Sequence, residues 1–449
     1  MRAQFIHLAD VHLGYEQYGS KERYNDFARA FQDVLRDAIR RKVDAVFIAG
    51  DLFNKRAIDA WTLTQAFACL QELKEHGIPA IAIEGNHDRS YYRDGMSWLQ
   101  FLAAQKMLCL LHPVVRDGEP VLSAWNPETL RGAYLDLMDG RLRVYGLPWF
   151  GAGTARIVES FATVLGQARA EEEQQGVQYR VLLMHTGVEG IVPRLHGLPT
   201  RAQLEPLHGL VDYLALGHVH KPYEIDNWMY NPGSTETCSA EEADWADRGY
   251  YLVEVDTERA QEDENGSRPQ KHRTRHITNR RRPYHRLQFR VDGLDEPDLL
   301  IERFEEFCRR QAAEKRDHGQ SPVVEVQLLG VLNFDAGALD RPRLEEIINA
   351  HFHPLVTRLH NVTRDVEYDP DDEDMDGRDR SNWHLLERKI FETLLAQDAR
   401  YSPAAGQWAE TLMNLKTQAL QNEEPETIAT HLREARSKLL HPERSIPEQ

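Results

Sequence analysis

Short apolar runs alternate with amphipathic stretches through the first half of the chain. Runs this short are typical of buried strands, and turn or polar residues bound each one. Between the first two runs, Phe27, Phe31 and Val34 recur at helical spacing with polar residues on the opposite face. The alternation predicts an α/β fold. The predicted strands are Gln4–Leu8, Ala45–Ala49, Ala80–Ile83, Val181–Met184 and Tyr213–Leu216.

The middle of the chain adds further strand patterns. Leu142–Leu147 is mostly apolar, and Tyr250–Val255 alternates in the manner of an exposed strand. Together with the earlier strands, these runs predict two packed β-sheets flanked by helices.

The second half has a different order of elements. A strand at Arg286–Val291, a helix at Asp298–Arg310 and a strand at Val323–Leu328 are followed by a helix at Pro342–Ala350 and a closing strand, which predicts a small α+β domain. Seven of the ten residues from Glu367 to Asp376 are carboxylates, which predicts a solvated linker. The predicted domains are 1–282, the small domain 283–368, the acidic linker 369–381 and a helical tail 382–449.

Composition narrows the function. The 449 residues are 41% hydrophobic and carry a net charge of −18, so a simple basic nucleic-acid wrapper is excluded and any nucleic acid must meet a local positive patch or a metal. The four cysteines show no paired spacing, which predicts reduced thiols with neither a metal nor a redox role. Because no stretch resembles a signal peptide or a membrane span, a cytoplasmic location is expected.

Each predicted strand of the first half is followed by metal-ligand residue types. Carboxyl ends of parallel strands meet at one edge of a sheet, so these side chains are expected to share a crevice. The motifs are Asp-x-His, Gly-Asp, Gly-Asn-His-Asp, a lone His and Gly-His-x-His. The predicted ligands are Asp10, His12, Asp51, Asn86, His185, His218 and His220.

Seven ligands are too many for one ion and suit a pair that shares a carboxylate. Asp51, central in the order, is the expected bridge. A set of Asp, Asn and His without thiolate suits manganese, iron or zinc. Two such ions clamp a phosphoryl group and lower the pKa of a bridging water. His87 adjoins a ligand and is expected to face the substrate as a general acid, with a supporting role as the alternative.

The motifs HLADVHLGYEQY, FIAGDLFN, IEGNHDR, LLMHTGV, LALGHVHKP and YNPGSTE resemble the SbcD-type DNA double-strand-break repair nucleases of the calcineurin-like metallophosphoesterase superfamily. The resemblance covers about the first 280 residues. It implies the metallophosphoesterase fold, manganese as the metal, His87 as the catalytic histidine and a cytoplasmic, nucleoid-associated protein. It also implies one ion on Asp10, His12, Asp51 and His220, and the second on Asp51, Asn86, His185 and His218. Asn54 departs from the pattern, because some relatives have a histidine there.

The resemblance and the charge pattern together suggest where DNA binds. Eight Lys or Arg and no carboxylate lie between Arg268 and Arg286. Phosphate contact beside the active site is one interpretation, and a solvated connector is the other. The candidate DNA contacts are Tyr15, Arg280, Arg281 and Arg282.

The C-terminal helices carry apolar stripes behind the acidic linker. They either pack on their own domain or dock on a partner. The resemblance implies an SbcC-type coiled-coil ATPase as that partner, and the residues leave a homodimer open. The candidate docking residues are Trp383, Leu386, Ile390, Leu394 and Trp408.

The leading hypothesis is a two-metal exonuclease and endonuclease subunit of a DNA repair complex. A phosphoesterase of the same fold with a small substrate is the first alternative. A non-catalytic scaffold that binds DNA and an ATPase is the second, although such a scaffold would be expected to have lost ligands, and none of the seven is missing.

Overall fold

The computed structural model describes residues 1–91, 95–116, 119–193, 195–245, 247–258, 270–315, 319–365, 380–396, 400–420 and 425–440. The chain forms two compact units, residues 1–365 and residues 366–449. Most of the predicted acidic linker 369–381 lies outside the described residues.

The strands and helices of the described residues are numbered in chain order. The strands are β1 (Arg2–Leu8), β2 (Ala45–Ile48), β3 (Ala80–Ala82), β4 (Cys109–Leu110), β5 (Val114–Arg116), β6 (Glu119–Val121), β7 (Tyr134–Leu137), β8 (Leu142–Leu147), β9 (Tyr179–Met184), β10 (Tyr213–Leu216), β11 (Tyr223–Ile225), β12 (Met229–Asn231), β13 (Gly249–Asp256), β14 (His272–Thr278), β15 (Tyr284–Arg290), β16 (Val323–Leu329), β17 (Val331–Leu332), β18 (Val356–Asn361) and β19 (Arg364–Asp365). The α-helices are α1 (Lys21–Arg41), α2 (Ala60–Glu75), α3 (Trp98–Ala104), α4 (Thr154–Gln174), α5 (Arg201–Leu204), α6 (Pro297–Glu314), α7 (Arg341–Phe352), α8 (Arg380–Ala396), α9 (Ala405–Leu420) and α10 (Pro425–Leu440).

Two six-stranded mixed sheets form the main body of the first unit. Their strand orders are β14-β13-β1-β2-β3-β4 and β11-β12-β10-β9-β8-β7. β1 to β4 run parallel, as do β8, β9, β10 and β12. The predicted arrangement of two sheets with helices outside is confirmed.

Alternation along the strands divides the core into layers. On β1, Phe5 belongs to the apolar layer between the sheets, whereas Ile6 and Leu8 pack with residues of α1 and α2. α4 covers the second sheet through Val158 and Phe161. This layering leaves the strand ends as the place where polar side chains can gather.

The strand at Tyr250–Val255 was expected to be exposed, and that expectation is wrong. β13 lies between β1 and β14, in antiparallel register with both, and most of it is buried because each of its faces packs in a core layer: Tyr250 and Leu252 on the side of α1 and α2, and Tyr251 and Val253 between the two sheets. Its alternating pattern therefore reflects aromatic and aliphatic residues buried on two faces.

A third sheet, β15-β16-β18, completes the first unit. Its three strands are parallel and are joined by α6 and α7, with a separate apolar core that includes Phe289, Phe304 and Ile348. The predicted strands and helices of this region are all present, and their alternation makes a βαβαβ unit.

The second unit contains α8, α9 and α10. α10 starts at Pro425, a residue that is well tolerated in the first turn of a helix. Across the described part of the chain, none of the helices combines the length and the apolar character needed to cross a membrane.

Candidate metal centre

The loops after β1, β2, β3, β9 and β10 bring the seven predicted ligands together. The His12 and His220 Nε2 atoms are 3.1 Å apart. His185 Nε2 lies 3.1 Å from Asn86 Oδ1 and 3.2 Å from Asp51 Oδ2. The remaining close pairs are His218 Nδ1 with Asn86 Oδ1 at 2.9 Å and His220 Nε2 with Asp10 Oδ1 at 3.8 Å.

Three groups of possible ligand atoms share this site. Asp51, His185 and His218 offer atoms within 4.8 Å of one another, and so do His12, Asp51 and His87, and His12, His220 and Cys238. Asp51 belongs to the first two groups, as a bridging ligand would.

The backbone at the ligands adopts an unusual conformation. Asp10, His12, Asp51 and His218 have φ angles of 53°, 52°, 52° and 76°, in the left-handed region that non-glycine residues rarely adopt. Such residues cost on the order of 1–3 kcal/mol each and cluster at functional sites. Backbone bonds between loops support the strain, because Asp10 N–H donates to Gly50 O at 3.1 Å and His12 N–H donates to Asp51 O at 3.1 Å.

Gly85 allows the third loop to approach the second. A Cβ atom at this position would lie 2.1 Å from Asp51 Oδ1 and 2.5 Å from its backbone nitrogen. Only glycine therefore fits, and the following residues Asn86 and His87 come close to Asp51 as a result.

Burial and charge shift the pKa values of the ligands. Burial lowers the pKa of His12 to about 3 and raises that of Asp10 to about 6. Burial alone would raise the pKa of Asp51, but the charge and hydrogen bond of His185 outweigh it and leave that pKa below its ordinary value. Burial opposes the charge on His185 too, yet Asp51 raises its pKa to about 9. A bound cation would take the place of that imidazole proton.

The donor set fits divalent metal ions. His185 Nδ1–H donates to Ala49 O at 2.7 Å, which leaves Nε2 as the nitrogen that faces Asp51 and Asn86. Asp10 Oδ2 and His12 Nδ1 are buried with no hydrogen-bond partner. A buried carboxylate oxygen without a donor is costly unless a cation satisfies it, so Asp10 Oδ2 beside these imidazoles suits a metal.

His87 lies at the edge of the site with one ring nitrogen engaged. Its Nδ1–H donates to Asn54 O at 2.5 Å, and its backbone N–H donates to Asp51 Oδ1 at 2.8 Å. The His87 ring meets the His12 ring edge-on, with centroids 5.1 Å apart. A carbonyl can only accept, so Nδ1 carries a proton and Nε2 remains for other chemistry. The side chain at position 54 is not part of this contact.

Two supporting carboxylates were not assigned from the sequence. Glu242 Oε1 accepts from His220 Nδ1–H at 2.7 Å, and Arg248 lies 2.9 Å from its other oxygen. Asp88 accepts backbone hydrogen bonds from Phe53 at 3.0 Å and Gly85 at 3.0 Å, and so connects two ligand loops. Asp88 stands in the Gly-Asn-His-Asp motif and could have been found there, whereas no motif marks Glu242.

The proposed DNA contacts differ in accessibility. Arg280 is exposed and Arg281 is half-buried, but Arg282 is 6% exposed and its guanidinium donates to Asp26 at 2.6 Å and 3.1 Å. All three line a cavity of 740 Å³ between α1 and the start of β15. Tyr15 is half-buried, and its ring lies 5.2 Å from that of Phe27.

The candidate docking residues of the C-terminal helices also differ in how exposed they are. Ile390 and Leu394 are 44% and 58% exposed within the second unit, whereas Trp408 is 5% exposed and contacts the Tyr401 ring. The side chains of Trp383 and Leu386 lie outside the described part of α8.

Residues 3–222 match the family model of the calcineurin-like phosphoesterases. The DNA double-strand break repair protein Mre11 of Archaeoglobus fulgidus is 32% identical over 248 residues, which cover 54% of this chain and 52% of that protein. The protein of the same name from Haloferax volcanii is 32% identical over 259 residues, covering 56% and 48%. The chain thus spans about half the length of the curated relatives it matches.

The chain also aligns with a solved structure, the calcineurin-like phosphoesterase YfkN from Bacillus subtilis, over 70% of this chain and 99% of that chain, at 12% identity and a TM-score of 0.38. The family model and the sequence relatives confirm the resemblance seen in the motifs, and this family implies divalent metal ions. Residues 3–222 are thus a calcineurin-like phosphoesterase domain.

Proposed function

We propose that this protein is a two-metal phosphodiesterase that cleaves DNA as the nuclease subunit of a double-strand-break repair complex, with manganese as its metal. The observation that carries the proposal is the pair of Nε2 atoms of His12 and His220, 3.1 Å apart. Glu242 accepts from His220 Nδ1–H, so the Nε2 lone pair of the neutral ring faces His12 Nε2, and both rings can ligate a cation bound there.

The ligands divide into two sets that share Asp51. Asp10, His12, Asp51 and His220 would bind one ion. Asp51, Asn86, His185 and His218 would bind the other. Bound there, the ions would neutralise charge on the phosphoryl oxygens and make water a better nucleophile near neutral pH.

His87 is the proposed general acid. The Asn54 carbonyl fixes its ring orientation, because that carbonyl accepts from Nδ1–H. Protonated His87 can then donate from Nε2 to the leaving oxygen of a phosphodiester. Asn54 thus orients His87 through its backbone, so a histidine side chain at that position is not required for this contact.

DNA as substrate is supported by the repair proteins that the chain resembles and by local charge. The chain is acidic overall, yet exposed Arg280 and half-buried Arg281 lie at the start of the third sheet. We propose that they contact the phosphate backbone together with Tyr15, and that Arg282 mainly joins this segment to α1 through Asp26. The predicted small domain 283–368 would cap the bound duplex.

Digestion of linear duplex DNA with Mn²⁺, set against hydrolysis of p-nitrophenyl phosphate, tests the proposal. We expect DNA cleavage, with little hydrolysis of the monoester, and loss of cleavage in Asp51→Ala. Rapid monoester hydrolysis without DNA cleavage would instead favour a small-substrate phosphoesterase. Bound Mn²⁺ with neither activity would favour the non-catalytic scaffold.

An SbcC-type coiled-coil ATPase is the proposed partner of the second unit. Ile390 and Leu394 lie four residues apart on α8 and are both exposed, as the anchors of a helix that fits a partner groove would be. The double variant Ile390→Glu/Leu394→Glu should abolish co-purification with the co-expressed ATPase. Thr393→Glu, at an exposed polar position of the same helix, is the control that should retain it. Retained binding by the double variant would place the docking surface elsewhere.

A further inference from the structure

Cys238 contributes a sulfur atom to the edge of the candidate metal centre. Its Sγ and one nitrogen each of His12 and His220 lie within 4.8 Å of one another. The thiol is half-buried and donates a weak hydrogen bond to Glu236 O at 3.5 Å. The seven ligands proposed above include no sulfur.

The position of Cys238 is fixed by the same carboxylate that orients His220. Glu242 Oε1 accepts from His220 Nδ1–H at 2.7 Å, while Glu242 Oε2 accepts from the Cys238 backbone N–H at 2.9 Å. The guanidinium of Arg248, 2.9 Å from Oε2, holds that carboxylate in place. These contacts therefore fix the distance between the Cys238 sulfur and the His220 imidazole.

Independent of the cysteine, a nearby buried carboxylate lacks a donor. Asp10 is fully buried with Oδ2 unpartnered, and its Oδ1 lies 3.8 Å from His220 Nε2. A cation beside the imidazole that Cys238 approaches would satisfy this carboxylate. The other three cysteines belong to no candidate metal group of the described residues, and Cys69 and Cys308 are buried in apolar cores.

We propose that Cys238 is an additional metal ligand, so that the His12–His220 position binds thiophilic divalent ions such as Zn²⁺ or Cd²⁺ through sulfur. Soft thiolate favours these ions over Mn²⁺, which prefers oxygen ligands. Binding would release the thiol proton to solvent and form a metal–sulfur bond. This inference rests on the proposed metal centre and specifies which ions that centre prefers. Zn²⁺ or Cd²⁺ should displace Mn²⁺ and inhibit cleavage.

Cadmium binding to the metal-free full chain tests this directly. Titration with Cd²⁺ should produce the ultraviolet charge-transfer absorption of a cadmium–thiolate bond. Cys238→Ser should lose that absorption and at least about 10-fold in Cd²⁺ affinity, while its Mn²⁺ affinity changes little. Cys109→Ser, which removes the half-buried thiol of β4, is the matched control and should retain the absorption. Bound Cd²⁺ should also protect Cys238 from alkylation by iodoacetamide.

The outcomes separate this inference from the proposed function. Cd²⁺ binding without thiolate absorption, or with the same absorption in Cys238→Ser, would overturn the sulfur ligand and leave the metal centre standing. A parallel loss of Mn²⁺ affinity in Cys238→Ser would overturn the claimed selectivity. Failure of the wild-type chain to bind either ion would overturn both proposals.

Discussion

Two groups of buried histidines occupy the sandwich of the first unit, and they differ in their partners. In the interior group, His272 lies between the hydroxyls of Tyr179 and Tyr230, at 2.7 Å from Nδ1 and 2.9 Å from Nε2. His7 is likewise bonded at both nitrogens, to the Tyr213 hydroxyl at 2.9 Å and to a backbone carbonyl at 3.0 Å. A neutral imidazole has one N–H and one lone pair, and hydroxyls complement both.

The group at the strand ends has no such complement. His12 Nδ1 has no partner and its Nε2 faces the Nε2 of His220, whose Nδ1–H is already used by Glu242. His12 is as deeply buried as His7 and His272, so burial alone does not distinguish a structural histidine from a ligand. The difference lies in the partners. The interior rings meet hydroxyls and a carbonyl, whereas at the strand ends His12 meets a second imidazole near Asp10, whose buried Oδ2 has no donor and would be satisfied by a cation.

The comparison predicts that Asp51→Ala has the largest effect. Asp51 is shared by two of the ligand groups and also accepts from the His87 backbone at 2.8 Å. Metal binding should fail at both positions, and cleavage of DNA should fall by about 10³-fold or more, because metal catalysis supplies several kcal/mol. Elemental analysis and the cleavage rate give the two readouts. Wild-type metal content in this variant would show that the site was misassigned.

His87→Asn should separate metal binding from catalysis. We expect two bound ions and a loss of about 10²–10⁴-fold in turnover, the usual contribution of a general acid. Asn54→Ala is the matched control, because the accepting carbonyl belongs to the backbone and remains. That control should keep turnover close to wild type. Loss of metal from His87→Asn would instead assign His87 a role as ligand or support.

The sequence was sufficient to predict the buried strands of the first half and the convergence of the polar residues that follow them. The motifs could be found because each short apolar run ends in a polar residue, such as His185 after β9, and parallel strands bring their ends together. Pairing between strands that are far apart in the sequence was harder to predict. The burial of β13 depends on β1 and β14 on its two sides, and no local pattern reveals those neighbours.

Local sequence patterns could not reveal the groups that support the site, for the same reason. Glu242 follows His220 by 22 residues, and it reaches that ring only because the intervening chain turns back. The left-handed backbone of Asp10 and Asp51 is likewise imposed by bonds between loops. His7, in the same motif as His12, could not be assigned to the interior without knowing that Tyr213 lies opposite it.

A substitution in the interior histidine group is expected to have a smaller effect, and to reduce stability instead of cleavage. His272→Phe leaves the Tyr179 and Tyr230 hydroxyls without their partner, and an unsatisfied buried polar group costs about 1–3 kcal/mol. Unfolding in urea should show this loss, whereas Mn²⁺ content and cleavage should stay unchanged. Adding Tyr179→Phe and Tyr230→Phe should recover much of the stability, because no polar group is then left unpaired. Lost metal binding in the single variant would contradict the division into two groups.

The smallest effect, and the sharpest test of the interior group, is its dependence on pH. Burial lowers the pKa of His272 to about 4 and that of His7 to about 3, so both are neutral in the folded protein at pH values where the unfolded chain binds protons. The depressed folded pKa means that stability is fully present above about pH 6.5 and is lost as the pH falls toward 4, by up to about 1.4 kcal/mol per pH unit for each histidine. The metal-free protein should therefore lose free energy of unfolding between about pH 7 and about pH 5, and His272→Phe should lose less over the same interval. The ligand histidines titrate in both proteins and cancel in the difference, so the measurement isolates His272. Equal pH dependence in the two proteins would mean that His272 already carries a proton in the folded state, and its two hydroxyl partners would then have to be reassigned as acceptors.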